Sequence, residues 1–242
     1  MLIYFVRHGQ TDHNAQGIIQ GHMDVPLNEK GRAEARVLAD AVAHVPFVEA
    51  HSSSLSRARE TAEIVLAAHD GLELQIHPGL MERSLGSLEG QRWVRGHGVP
   101  PDAEASADFR ARVAAWFRAF LASHAPGEHS GGEGKSAHTT PIPDRVVLVV
   151  SHGAYLSALL AVLLGREFAF SRAPGVDTGA TCFNTCITRV RVRHDAAGGV
   201  DAWSGTVESY AESGHLAPET MGRRLGVADD VRRDFVRDAR GE

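Results

Sequence analysis

The sequence has 242 residues, 43% hydrophobic and 23% charged, which suffices for one large domain or two small ones with a sizeable core. A formal net charge of −5 is the wrong sign for a nucleic-acid binder, so any affinity for anions has to be local. The apolar start, residues 2–6, stops at Arg7 and His8 and is no secretory signal; the longest apolar stretch, residues 154–164, is too short to span a bilayer. The expectation is a cytoplasmic protein with no nucleic-acid or membrane partner.

Residues 2–6 form a continuous apolar run, as a strand buried on both faces requires. A polar, glycine-containing stretch follows over residues 9–28. Residues 29–42 carry Ala, Val and Leu at helical spacing, with Asn28 in the N-cap position. Residues 47–50 read as a second strand ending in a loop at 51–54, and residues 55–68 as a second helix. Residues 72–76 alternate like a strand, and 78–90 read as an irregular loop. Residues 105–123 predict a helix whose apolar face carries Phe109, Val113, Trp116, Phe117 and Phe120. The stretch 125–144, rich in Gly, Ser, Thr, His and Pro, predicts a mobile surface loop. Residues 145–150 make the strongest strand, and 154–164 the helix after it. Residues 181–192 and 200–207 alternate like edge strands, joined by a turn at 196–199, and the polar tail from 209 predicts some further helix. The two cysteines, Cys182 and Cys186, lie four apart in one of these strands. That spacing separates them by about 13 Å, beyond the roughly 7 Å a disulfide can span, so reduced thiols are expected.

Strands alternating with helices predict an α/β fold with a mostly parallel sheet and an antiparallel edge strand, in a single domain over residues 1–242. Such sheets bind ligands outside the carboxyl ends of their strands. That rule selects Arg7-His8-Gly9, Ser52-Ser53-Ser54 and Ser151-His152-Gly153. Two strands therefore each deliver a His followed by a Gly to one edge of the sheet.

An imidazole beside a guanidinium suits attack on phosphorus. The arginine fork matches phosphoryl oxygens, and histidine can form a covalent intermediate. Gly9 allows close backbone approach to a ligand. His152 can stabilise charge developing on a phosphoryl oxygen; it also stands where its helix begins, and Ser151 is an alternative cap. Arg57 opens the second helix, where a cation opposes the macrodipole and makes sense beside an anion. Helix geometry puts Arg57 and Thr61 on one face and leaves Arg59 as a solvated charge. The expelled alkoxide needs a proton, and Glu82 and Glu89 both offer a carboxyl for it.

These residues resemble the histidine phosphatase superfamily, also called phosphoglycerate mutase-like. The likeness runs in order through Arg7-His8-Gly9-Gln10-Thr11 with Asn14, through 20–31, 53–62, Glu82 with Gly86 and Glu89-Gly90, Val150-Ser151-His152-Gly153, and 184–188, covering roughly residues 1–192. The resemblance implies a three-layer α/β/α sandwich that needs no metal or other cofactor. It implies His8 as the phosphorylated nucleophile and Glu82 as the proton donor. Arg7, Arg57 and His152 would complete the phosphate pocket, with Asn14, Gln20 and Gly21 lining the substrate entrance. The remaining histidines, such as His13, His22, His44, His51 and His129, would mostly be surface or loop residues.

The implied activity is that of a phosphoric monoester hydrolase of the histidine acid phosphatase type, acting on a small-molecule phosphoester such as a sugar phosphate. A 2,3-bisphosphoglycerate-dependent mutase is the alternative. Against it, the stretch after Glu82 has no Tyr, and the chain has only two lysines, Lys30 and Lys135, to hold a second phosphate. A non-catalytic phospho-ligand-binding module would need neither His8 nor Glu82. Residues 92–104 and 209–216 fit no pattern and are expected to cover the pocket and set specificity. Oligomeric state stays open, a homodimer included.

Overall fold

The computed structural model describes residues 1–94, 98–125, 145–194 and 203–216. β1 (Leu2–Arg7) leads into a five-residue helix, α1 (Asp12–Gln16), inside the polar, glycine-containing stretch where no element was expected. A capping box explains it: Thr11 Oγ1 accepts the Asn14 N–H, Asn14 Oδ1 accepts the Thr11 N–H, and Gly17 ends the turn at φ 67°. α2 (Glu29–Val42) starts as expected at Asn28, whose side chain accepts the Gly31 N–H at 2.8 Å. β2 (Phe47–Ser53) runs past its expected end, making His51, Ser52 and Ser53 strand rather than loop. Ladders on both sides hold these polar residues, with His51 opposite both Gln75 and Val149. Then come α3 (Ser56–Leu66), β3 (Leu74–His77), two 3₁₀ turns at Pro78–Leu80 and Gly86–Leu88, and α4 (Ser106–Ser123). β4 (Val146–Ser151), α5 (Gly153–Leu164), β5 (Ser171–Arg172), β6 (Ile187–His194) and β7 (Trp203–Glu212) complete the described elements.

The sheet order is β3-β2-β4-β1-β6-β7-β5. β1 to β4 are mutually parallel, and β6 is antiparallel to both β1 and β7. The antiparallel strand is therefore interior, not an edge; the edges are β3 and β5. Its alternation reports one buried face, with Val190 and Val192 inward, and says nothing about edge position. Residues 181–186 are not strand, so the cysteine separation expected from an extended chain does not apply. The chain turns there through Thr185 at φ 58°, and both thiols are buried. Ser209–Glu212 belongs to β7 rather than to a tail. The loop expected at 125–144 lies outside the described residues except for Ala125, as does the tail from residue 217.

β1 and β4 alternate between two cores. Ile3, Phe5, Val147 and Val149 face α4 and α5 through Phe109, Phe117, Tyr155 and Leu159. Val6, Leu148 and Val150 face α2 and α3 through Leu38, Val42, Ala62 and Val65. Each such side chain contributes about 1.5–3 kcal/mol by leaving water. Helices on both faces give the expected α/β/α sandwich and align the carboxyl ends of β1, β2 and β4 at one side of the sheet.

Candidate active site

β1 and β4 pair with Arg7 opposite Ser151, so the next residue of each strand stands level with the other. The His8 N–H donates to the Ser151 carbonyl at 2.9 Å, and the His8 and His152 ring centroids are 5.1 Å apart. His8 Nδ1 lies 2.7 Å from the Gly9 carbonyl. A carbonyl only accepts, so Nδ1 carries the hydrogen and the lone pair of the neutral ring sits on Nε2. The strand end is held from behind, since the Thr185 N–H donates to the Arg7 carbonyl and Asn184 Nδ2–H to the His8 carbonyl. Gly9 is required for its contact with α2: a Cβ there would sit 2.5 Å from the Gly31 carbonyl oxygen. The Gly9 N–H donates to Thr61 Oγ1, whose hydroxyl donates to the Arg57 carbonyl, tying the His8 loop to α3.

Arg57 is 1% exposed. It donates to the Met23 carbonyl at 2.7 Å and the Gly21 carbonyl at 2.9 Å, while its Nε has no hydrogen-bond partner among the described residues. Burial pulls the guanidinium down to about 10, against the opposing pull of Glu82, Asp24 and Glu89. Arg59, one face over, is exposed. Arg7 is buried and donates to the Cys182 carbonyl at 2.7 Å. His152 is wholly buried, with Nε2 2.8 Å from Ser53 Oγ and no partner for Nδ1 among the described residues. Burial and the charges of Arg57, His8 and Arg7 hold it well below the ordinary 6.5, so the ring is neutral.

Ser151 does not cap α5, because its hydroxyl donates to the Leu80 carbonyl. The cap comes from Glu82: Oε2 accepts the Ala154 N–H and Oε1 the Tyr155 N–H, each at 3.0 Å. Glu89 instead spends one oxygen on the His22 and Leu85 amides and the Ser84 hydroxyl, organising the loop. Only Glu82 of the two lines the pocket.

That pocket has a volume of about 100 Å³. Arg7, His8, Asn14, Gln20, Gly21, Arg57 and Glu82 all line it; His152, expected in the phosphate pocket, is not among the lining residues, being wholly buried with its ring 5.1 Å from that of His8. Its remaining walls include His13, Ile18, Ile19, Leu85 and Ala154. None of the described residues of 92–104 or 209–216 lines it, contrary to expectation. The wall is built by α1 and the loop after it, and Ser209–Glu212 is tied up in β7. The minor histidines divide. His22 and His44 are exposed, His13 is at the pocket, and His129 lies outside the described residues. His51 is not a surface residue: it is buried in β2 against Glu49. Asn184, Thr61 and Ser53 were in view in the sequence, but not their roles in holding His8, Gly9 and His152. Ser53 was in view as a strand-end residue, but its partner lies 99 positions away.

Buried cations around an imidazole, with one carboxyl on the wall, make a seat for an anion. Residues 3–203 match the histidine phosphatase superfamily (branch 1). The chain belongs to this superfamily. Among its histidine phosphatase relatives is a probable phosphatase of Schizosaccharomyces pombe, 26% identical over 93% of this chain and the whole of that one. The 2,3-bisphosphoglycerate-dependent phosphoglycerate mutase 2 of Gloeobacter violaceus is 32% identical over 67% of this chain and 75% of its own length. A mycobacterial glucosyl-3-phosphoglycerate phosphatase solved with VO3 superimposes with a TM-score of 0.66 at 25% identity, over 88% of this chain and 99% of that one. Among the described residues no helix is long and apolar enough to cross a membrane.

Proposed function

We propose that this histidine phosphatase hydrolyses a small phosphomonoester by way of a phosphohistidine on His8, with Arg7 and Arg57 neutralising the phosphoryl oxygens in place of a metal ion and the neutral His152 ring hydrogen-bonding to one of them. His8 Nε2 attacks phosphorus, the P–O ester bond breaks, and its electron pair leaves on the alcohol oxygen, which takes a proton from the Glu82 carboxyl. Water then attacks the phosphohistidine and gives a proton to the Glu82 carboxylate. The N–P bond breaks, and inorganic phosphate and neutral His8 are regained. Asn14, Gln20 and Gly21 contact the substrate at the entrance. The observation that carries this reading is the hydrogen-bond partner of His8 Nδ1, which puts the lone pair on Nε2 at a pocket where buried Arg57 and Glu82 also converge. One continuous sheet from Leu2 to Glu212 supports reading the chain as a single domain.

Hydrolysis of p-nitrophenyl phosphate in EDTA tests it. Wild type is expected to turn over and to yield a base-stable phosphohistidine on rapid quenching. His8→Ala should lose at least about 10⁴-fold in rate. Equal rates in the two proteins overturn the proposal. The Gloeobacter relative keeps a mutase reading in play; interconversion of 2- and 3-phosphoglycerate, stimulated by 2,3-bisphosphoglycerate and faster than hydrolysis, would favour it.

A further inference from the structure

Glu82 sits on a segment that belongs to no strand or long helix, between the turns Pro78–Leu80 and Gly86–Leu88. A proton donor must be held within hydrogen-bond reach of the leaving oxygen, with a positional tolerance of about half an ångström. The hold comes from α4. Arg112 Nη1 donates to the Gly79 carbonyl at 3.1 Å and the Met81 carbonyl at 2.8 Å. Its Nη2 donates to the carbonyl of Glu82 itself at 3.1 Å and to Glu104 Oε2 at 2.8 Å. Nε donates to Glu104 Oε1 at 2.8 Å. A guanidinium has five N–H donors, and all five are used here. Three fasten the backbone that leads into Glu82; two orient the guanidinium against Glu104.

Glu104 fastens the other side of the same residue. Its carbonyl accepts Arg83 Nε–H at 2.8 Å, and its Oε2 accepts the Ser84 N–H at 3.2 Å. Burial works to raise the Glu104 carboxyl, but the bonds from Arg112 outweigh it and hold the group below the usual range, as a carboxylate. The pair is largely shielded, with 24% and 17% of the two side chains exposed, and the Arg112 guanidinium lies 5.0 Å from the Phe109 ring centroid. A lysine at 112 would keep the charge and lose the fork that reaches three carbonyls and a carboxylate at once.

We infer that Arg112, braced by Glu104, is the positioning residue for proton transfer to the leaving group: it fixes the main chain of Glu82 so that the carboxyl spans the α5 amides and the departing oxygen. The inference rests on Glu82 being the proton donor. Arg112 touches no reacting atom and acts only through that residue.

The test uses two substrates of nearly equal shape. p-Nitrophenolate departs with little help, whereas phenolate, the stronger base, needs its proton. The value of kcat/KM covers the steps through departure of the leaving group. Glu82→Gln is expected to raise the ratio of kcat/KM for p-nitrophenyl phosphate over phenyl phosphate by at least about tenfold. Arg112→Met and Arg112→Lys should raise it in the same direction, and Glu104→Gln by less, with KM for p-nitrophenyl phosphate little changed. Thermal melts identify any variant that does not fold, and Glu104→Gln, nearly isosteric, keeps the test alive if the Arg112 variants fail. If Glu82→Gln separates the substrates while folded Arg112 and Glu104 variants lose both in proportion, Arg112 is a plain structural residue and the inference falls. If Glu82→Gln leaves the ratio unchanged, the proton-donor assignment falls first and takes the inference with it.

Discussion

At the ends of β1 and β4, His8 and His152 lie ring to ring beside Arg7 and Arg57, while on β2 another buried pair of imidazoles gathers around Glu49. In that second cluster Glu49 Oε1 meets His51 Nε2 and Oε2 meets His124 Nε2, each at 2.9 Å. His51 Nδ1 reaches His77 Nε2 at 2.9 Å, and His124 Nδ1–H donates to the Phe120 carbonyl at 2.7 Å. All four ring nitrogens of His51 and His124 have partners, and a carboxylate sits in the middle. Burial works to raise Glu49, yet the bonds from His124 and His51 win and hold it far below the usual carboxylate range. The first cluster is the reverse. Cations crowd together, His152 Nδ1 and Arg57 Nε have no hydrogen-bond partner among the described residues, and His152 is driven neutral. Two groups of histidine of equal burial thus differ in whether the fold has already answered their charge. The group left waiting is the one that points to a ligand.

Breaking the contrast at its strongest point means Arg57→Ala. A loss on the order of 10³-fold in kcat/KM is expected. Inorganic phosphate at 100 times its Kd should stabilise wild type by about 2.7 kcal/mol and the variant by far less. A phosphate-induced melting shift that survives Arg57→Ala would mean the anion sits elsewhere. Next comes Glu49→Ala, which leaves two buried imidazoles without their carboxylate. It should cost about 3 kcal/mol in urea unfolding and leave kcat/KM per folded molecule unchanged. Because the folded carboxyl is depressed, its contribution is present above the ordinary 4.5 and lost as pH falls below it, so the acid limb of the stability curve should flatten in the variant. An unaltered acid limb would show that the cluster carries no such charge. The smallest effect belongs to His152→Asn. The folded ring resists a proton that the unfolded ring accepts, so wild type loses stability as pH falls through 6.5. The variant should lose less over the same titration; parallel curves would deny the neutral, cation-flanked His152.

The first cluster was legible in the sequence because parallel strands announce their ends: an apolar run stops, and the next residues are Arg7-His8-Gly9 or Ser151-His152-Gly153. Arg57 was legible because a cation opening a helix is out of place. The second cluster was not. His51 reads as the start of a polar loop, and His124, which explains its burial, closes a helix 75 residues from Glu49. Glu82 and Glu89 have the same chemistry and neighbouring positions; residue chemistry alone left them level, the resemblance chose Glu82, and in the structure the α5 amides 72 and 73 residues on and the pocket wall set Glu82 apart. Nothing in the sequence singles out Arg112, since main-chain carbonyls leave no mark in a sequence.

The opening turn of α5 carries a consequence of its own. The first amides of a helix are a natural cradle for phosphate, but here the Ala154 and Tyr155 N–H groups already grip the Glu82 carboxyl. The protein's own side chain thus acts as a doorstop. Under the proposed mechanism, incoming phosphate is turned away from that cradle and left to the side chains around His8, within range of the nucleophile rather than parked beside it.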